Sequence, residues 1–153
     1  MRWYHVAAIL LAITFPALAG PLPDGGVTAQ EVVRVLQSKG LQAAITTGKD
    51  GDPLIHSASG GSKFGVYFYE CKKSPRCGSI QFSAGFTQRN VSPARLADWN
   101  RGKRFGRVYL DDDFDPWVEM DMDMEHGATT EAIANNVERW VGVIGEFTKY
   151  IGR

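Results

Sequence analysis

Four acidic residues alternate with apolar ones late in the chain and are the first candidates for chemistry. Glu119, Asp121, Asp123 and Glu125 are spaced two residues apart, so a strand places them on one face, roughly 6–7 Å from one to the next. General acid and base pairs use a similar separation. The alternative is an amphipathic strand with methionines in the core and hydrated carboxylates, charge-paired with cations from the basic run 101–107.

A second acidic group has the first spacings of a calcium loop. Asp111, Asp113 and Asp115 alternate as in an EF-hand, but Pro116 replaces the glycine of the sixth position and Met122 the glutamate of the twelfth. The pattern therefore excludes an EF-hand. A weak, irregular calcium site in this turn stays open as an alternative.

The other reactive side chains lack the spacing that catalysis or metal binding needs. His56 and His126 stand outside any His-Glu-x-x-His or Cys/His zinc pattern, and no Gly-x-Ser-x-Gly elbow occurs. Gly60-Gly61-Ser62-Lys63 is followed by a predicted strand, whereas a phosphate loop is followed by a helix. We interpret the histidines as surface residues and the glycines as a hairpin turn, and we predict no catalytic residue, metal or cofactor.

Cys71 and Cys77 are separated by five residues that read as a turn between two strands. In an oxidising compartment a pair this close is expected to be bridged. A redox-active pair is the weaker interpretation because the Cys-x-x-Cys spacing is missing. We predict a structural disulfide that fastens a hairpin.

The first nineteen residues have the order of a secretory signal peptide. Met1-Arg2 gives a positive start, Val6–Phe15 is apolar, and Ala17–Ala19 is a small-x-small site before Gly20. As a helix, the apolar run spans roughly 15 Å, about half of a bilayer core. We therefore expect cleavage between Ala19 and Gly20 and a periplasmic or secreted protein.

Composition predicts one ordinary domain after that cleavage. Removal of residues 1–19 leaves 16 basic and 17 acidic residues, a formal charge of −1, which gives no attraction to nucleic acid or to an anionic membrane surface. We expect a flexible lead-in over 20–27 and a single domain over 28–153. The expected partner is another envelope protein, without nucleic acid or membrane insertion, and a homodimer is compatible with the chain.

Periodicity and turn residues predict three helices and six strands. Thr28-x-x-Glu31 is a capping box that starts the first helix, Ser92-Pro93 starts the second, and the third follows 127–129. Short links favour an antiparallel sheet with helices packed against it, an α+β domain in the order α-β-β-β-β-α-β-β-α. The expected strands are 41–47, 54–58, 63–71, 79–86, 105–111 and 117–125. The last helix is expected to pack across the sheet through Ile133, Val137, Trp140, Val141, Ile144 and Ile151.

Three segments, in this order, resemble the YbjN family over nearly the whole mature chain. They are 64–86 with its two cysteines, 99–111 (Trp-Asn-Arg-Gly-Lys-Arg-Phe-Gly-Arg-Val-Tyr-Leu-Asp) and 118–123 (Val-Glu-Met-Asp-Met-Asp). The family is labelled as a bacterial sensory transduction regulator. The resemblance implies a fold similar to type III secretion chaperones, and it supplies no catalytic residues.

These observations predict a non-enzymatic protein-binding or chaperone-like module of the bacterial envelope, regulatory in keeping with the family label. The alternatives are a small hydrolase acting through the strand 119–125, and a sensor of a small ligand or metal. The candidate binding surface comprises Tyr67, Tyr69, Trp117, Glu119, Asp121 and Asp123.

Overall fold

A computed structural model of the chain describes residues 20–23, 25–71, 75–88 and 90–153. The described residues form three helices and a six-stranded antiparallel sheet in the order α-β-β-β-β-α-β-β-α. The predicted α+β fold class is therefore confirmed. The predicted signal peptide, residues 1–19 up to the cleavage site at Ala19, lies outside the described residues.

The observed elements lie close to the predicted ones. They are α1 (Ala29–Ser38), β1 (Ala43–Thr47), β2 (Pro53–Ser59), β3 (Ser62–Cys71), β4 (Cys77–Gly85), α2 (Pro93–Gly102), β5 (Arg107–Leu110), β6 (Pro116–Asp123) and α3 (Thr130–Tyr150). The fifth strand begins later than predicted because Gly106 has a φ of +79°, which interrupts extended backbone just before it.

The strands lie in the order β1-β2-β3-β4-β6-β5. The first four form a meander, and the turn between β2 and β3 uses Gly60 and Gly61 with φ of +55° and +82°. That turn needs glycine because both residues adopt the left-handed region. The final hairpin then adds with β6 against β4, which leaves β1 and β5 at the two edges of the sheet.

The capping residues predicted for the first two helices are confirmed. Thr28 and Glu31 form a complete capping box at α1, and the Ser92 hydroxyl accepts the N–H of Arg95 at the start of α2, with Pro93 following. No helix within the described ranges is both long and apolar enough to cross a bilayer.

The helices α1 and α3 cover one face of the sheet and enclose the core. Trp140 of α3 lies 5.7 Å, ring centroid to centroid, from both Phe64 and Phe82, and it is fully buried. The predicted helix stripe needs one correction, because Val141 is only half-buried, whereas Val143 and Phe147 are buried. Val143 faces Gly106, whose missing side chain leaves room for it.

The segment predicted as a flexible lead-in carries backbone hydrogen bonds at both ends. Leu22 N–H donates to Ala128 O at 2.8 Å, and Val27 and Cys77 exchange bonds of 3.0 and 2.9 Å. A Cβ on Gly26 would lie 2.0 Å from the Cys77 carbonyl oxygen, so only glycine fits at this close approach.

Candidate binding surface

The sheet face opposite α1 and α3 is the open face, and it gathers the alternate side chains of β2 to β6. Strand register places Tyr67 opposite Gln81 and Gln81 opposite Asp121, while Tyr69, Ser79 and Asp123 form the next row. All six residues of the predicted binding surface thus lie on the open face: Tyr67, Tyr69, Trp117, Glu119, Asp121 and Asp123.

Glu119 lies at the centre of the open face and is only 7% exposed. Its carboxylate accepts the Tyr109 hydroxyl at 2.8 Å and an ion-paired hydrogen bond from Arg107. Ser83 Oγ and Gln81 Nε2 lie at 3.5 Å on its remaining sides. The prediction of hydrated acids is therefore wrong for Glu119, because polar side chains of its two neighbouring strands, β4 and β5, cover it.

The predicted charge pairing between the acids of β6 and the basic run 101–107 is found at one position. Arg107 is the cation that meets Glu119, since β5 lies beside β6 and the two residues are directly opposite. Lys103 instead pairs with Glu146 of α3 at 2.7 Å, and Arg101 pairs with Asp98 within α2. Arg101 and Lys103 therefore pair with acids of the helices and not with those of the open face.

Proton affinities on the open face follow from this arrangement. Burial and the hydrogen bond to the Glu119 carboxylate raise the pKa of Tyr109 to about 12. The hydrogen bond to Glu119 also raises the pKa of Arg107. Partial desolvation and the charges of Glu119 and Asp121 raise the pKa of Tyr69. Glu119 therefore acts as a fixed acceptor that holds its donors protonated.

Asp121 and Asp123 are exposed, unlike Glu119. Asp121 accepts the Gln81 amide at 2.8 Å, and the Gln81 oxygen accepts the Tyr69 hydroxyl at 3.2 Å. Asp123 accepts the nearby backbone N–H of Glu125 at 2.9 Å. Among the described residues, neither aspartate lines the groove between Tyr67 and Trp117 or the hollow between α2 and β5.

A groove of about 340 Å³ crosses the open face between Tyr67 and Trp117. The Tyr67 ring lies over Gly65 and the Trp117 ring over Gly85, close enough that a Cβ at either glycine would approach the ring to 2.8 or 2.6 Å. His56, Lys63, Ser83 and other neighbours complete the lining. The glycines thus let both aromatic rings lie flat on the sheet.

The acidic turn 111–115 is organised by the carboxylate of Asp111. Asp111 Oδ1 accepts the N–H groups of Asp113 and Asp115 at 3.0 and 2.9 Å, and Oδ2 accepts the Trp117 indole at 2.8 Å. These bonds, that from Asp115 foremost, lower the pKa of Asp111. Asp111 therefore orders the turn and orients Trp117. Within the described ranges, no three His, Cys, Asp or Glu side chains are grouped to hold a metal ion.

The remaining predicted residues are placed as follows. Cys71 and Cys77 are disulfide-bonded across the β3–β4 hairpin, as predicted. His56 is exposed at the groove, and His126 is exposed before α3. Sequence reasoning missed Gln81, Ser83 and Tyr109 as partners of the acids. Alternation along β4 puts the first two on the side away from the core, but only the pairing of β4 with β6 brings them to Glu119.

The fold and surface define a class: a compact α+β domain with one sheet face sealed by helices and the other polar and aromatic. The chain belongs to the YbjN family, described as "Putative bacterial sensory transduction regulator", which it matches over residues 28–153. The predicted family resemblance is confirmed. Comparison with curated protein sequences gives no match.

Proposed function

We propose that this chain is an exported, non-enzymatic binding module of the bacterial envelope that presents the open face of its sheet to another protein. The family description supports a regulatory role. A chaperone-like action, in which the domain shields a segment of its partner, is part of the proposal.

The observation that carries the proposal is that the carboxylate of Glu119 already has its hydrogen-bond donors within the fold. A general acid or base must be free to exchange a proton with substrate, but this carboxylate already accepts hydrogen bonds from Tyr109 and Arg107. Its bonds connect β5 to β6 and fix the side chains of Tyr109 and Arg107 on the open face. Such a pre-organised surface favours binding because little side-chain freedom remains to be lost on association.

The chemistry of the open face favours a partner segment with basic and apolar residues. Asp121 and Asp123 are exposed, and within the described residues neither is ion-paired. The exposed Tyr69 lies in the same row as Asp123, and the half-buried Tyr67 and Trp117 add aromatic surface elsewhere on the open face. Carboxylates next to exposed rings can take up a lysine or arginine together with its aliphatic stem.

The test is affinity capture of the tagged protein from envelope extract after brief cross-linking. The Asp121→Lys/Asp123→Lys variant reverses the charge of the open face, and the Glu138→Lys/Glu146→Lys variant reverses the same number of exposed acids on α3. We expect one abundant partner, captured by the wild-type protein and the α3 variant and lost by the open-face variant.

Two outcomes would count against this assignment. A partner retained by the open-face variant would move the binding surface elsewhere. No partner above background, with both variants folded by circular dichroism, would contradict protein binding. Export is tested separately by mass spectrometry of the protein from the periplasmic fraction, where we expect an N-terminus at Gly20.

A small-ligand sensor is the second candidate, and the groove between Tyr67 and Trp117 favours it. Two flat rings with Ser83 between them and Lys63 at the rim suit a flat or ring-shaped polar molecule. A metabolite screen read by Trp117 fluorescence, with Trp117→Phe as the blank, tests it. A ligand that shifts the emission of the wild-type protein but not of the variant would support this role.

A further inference from the structure

We infer that the groove between Tyr67 and Trp117 binds an uncharged oligosaccharide, with sugar rings stacked on the two aromatic rings. This inference deepens the second candidate function and rests on the groove being a ligand site. Asp121 and Asp123, which carry the protein-binding proposal, lie outside the described lining of the groove. Failure of the protein-binding proposal therefore leaves this inference standing, and the reverse also holds.

Each aromatic ring of the groove presents one face to solvent. A Cβ on Gly65 would lie 2.8 Å from the Tyr67 ring, and a Cβ on Gly85 would lie 2.6 to 2.9 Å from three atoms of the Trp117 ring. One face of each ring therefore lies against a glycine, and both aromatic residues are half-buried, which leaves the other face open. The indole N–H of Trp117 donates to Asp111 Oδ2 at 2.8 Å and holds that ring in place. The two rings thus form a platform on the sheet.

A sugar ring matches such a platform with both its face and its edge. The C–H groups of a pyranose make one face apolar, whereas its hydroxyl groups point outward around the edge. Stacking removes the C–H face and the aromatic face from water, while a few polar groups around the site orient the hydroxyls. A flat aromatic ligand is often held in a slot between two facing side chains. The rings here lie over different glycines and do not form such a slot.

The spacing of the two rings favours a chain of sugars over a single sugar. Gly65 lies directly opposite Ser83, and Gly85 follows Ser83 by two residues on the same strand. The two glycines beneath the rings are therefore diagonal neighbours, roughly 7–8 Å apart, which is wider than one pyranose ring. A linear oligosaccharide can cover both Tyr67 and Trp117, and the groove of about 340 Å³ is of the size that ligand sites have.

The polar groups around the groove favour an uncharged ligand with many hydroxyls. Lys63 is a donor, Asp115 is an acceptor, and the hydroxyl of Thr87 is both. A sugar hydroxyl also donates and accepts, so it can use each of these groups. The carboxylate of Asp111 and that of Asp115 line the same groove as the Lys63 ammonium. Because charges of both signs are present, neither an anionic nor a cationic ligand is favoured over a neutral one.

The first test is an array of linear oligosaccharides of glucose, N-acetylglucosamine, mannose and galactose in α and β linkages, with oligogalacturonides as the anionic comparison. The strongest ligand is then titrated into the purified protein by calorimetry. We expect a neutral oligosaccharide to bind with a Kd on the order of 0.1 mM, since an open groove buries little of its ligand. The oligogalacturonides should bind more weakly.

Three variants and one control locate the binding. Tyr67→Ala and Trp117→Ala should each raise the Kd at least about tenfold, because each removes one stacking face. Gly85→Ala should also raise the Kd, since it displaces the Trp117 ring from the sheet but removes no lining side chain. Tyr69→Ala is the matched control: it removes a 44% exposed ring from the same strand and face, outside the groove, and it should leave the Kd unchanged.

Several results would overturn the inference. They are the absence of binding to every saccharide on the array, a preference for the oligogalacturonides, and a Kd that stays the same in Tyr67→Ala and Trp117→Ala while circular dichroism shows both variants folded. Equal weakening in Tyr69→Ala would also contradict the groove as the site. A non-sugar ligand found by the metabolite screen, with no saccharide bound, would keep the small-ligand candidate and overturn this inference alone.

Discussion

The two faces of the sheet are made by the same strands but are held together by different forces. On β6, Met120 is 6% exposed and Glu119 is 7% exposed, yet they point to opposite sides. Met120 is covered by the apolar layer beneath α3, whereas Glu119 is covered by Arg107, Tyr109 and the polar side chains of β4. The two residues are thus equally buried, but apolar side chains cover Met120 and hydrogen-bonding side chains cover Glu119.

This difference predicts which face of the sheet contributes most to stability and which face fixes the positions of its side chains. Apolar packing is non-directional and scales with the area removed from water, so the helix-covered face contributes most of the stability. Hydrogen bonds to a charged group have a required geometry and contribute less net free energy. The open face therefore fixes side-chain positions more than it stabilises the fold.

The largest expected effect is on the helix-covered face. Phe82 is fully buried and stacks on Trp140, so Phe82→Ala should lower the free energy of unfolding by about 3–5 kcal/mol through lost burial and a cavity. Urea denaturation followed by circular dichroism measures it. A loss below about 1 kcal/mol would mean that this face does not dominate stability.

A smaller effect is expected at the centre of the open face. Glu119→Ala should cost about 1–3 kcal/mol, because it leaves the Tyr109 hydroxyl and the Arg107 guanidinium without their shared acceptor. Asp121→Ala, the matched change on the same strand, should stay within about 0.5 kcal/mol because that side chain is exposed. Both free energies of unfolding are measured by urea denaturation. Equal losses in the two variants would contradict a larger stabilising role for the buried Glu119 than for the exposed Asp121.

The same network predicts a loss of stability in alkali. The pKa of Tyr109 is about 12 in the fold against an ordinary value of about 10, so the fold favours the neutral phenol. Its contribution is complete below pH 10 and is lost as the pH rises toward 12, where the unfolded chain binds fewer protons. Between pH 9 and pH 11, the free energy of unfolding of the wild-type protein should fall by about 1 kcal/mol more than that of the Tyr109→Phe variant. Parallel pH curves for the two proteins would contradict the assignment.

The smallest effect is expected at the groove. A Cβ at Gly85 would lie 2.6 Å from the Trp117 ring, which can move toward solvent, so Gly85→Ala should change stability by only about 0.5 kcal/mol. Tryptophan emission should nevertheless shift to the red as the ring leaves the sheet. Gly142→Ala is the control, since nothing lies within 4 Å of its added Cβ, and its emission should not change.

Much of the fold could be predicted because its signals are local. The capping residues Thr28 and Glu31, the Gly60-Gly61 turn, and the alternation of Phe64, Val66 and Phe68 each depend on neighbours in sequence. The predicted stripe of α3 included the half-buried Val141 and left out the buried Val143 for the opposite reason. Val143 is buried against Gly106, whose missing side chain leaves room for it and which lies far away along the chain.

The sequence by itself determined the elements, their antiparallel class, the disulfide of Cys71 and Cys77, and the polar side of each strand, because hydrophobic period and turn chemistry act over a few residues. Only the tertiary structure decided that β6 lies between β4 and β5. That placement buries Glu119 beneath Arg107 and Tyr109, leaves Asp121 in water, and exposes β1 at an edge, because strand order depends on long-range packing that no local pattern encodes.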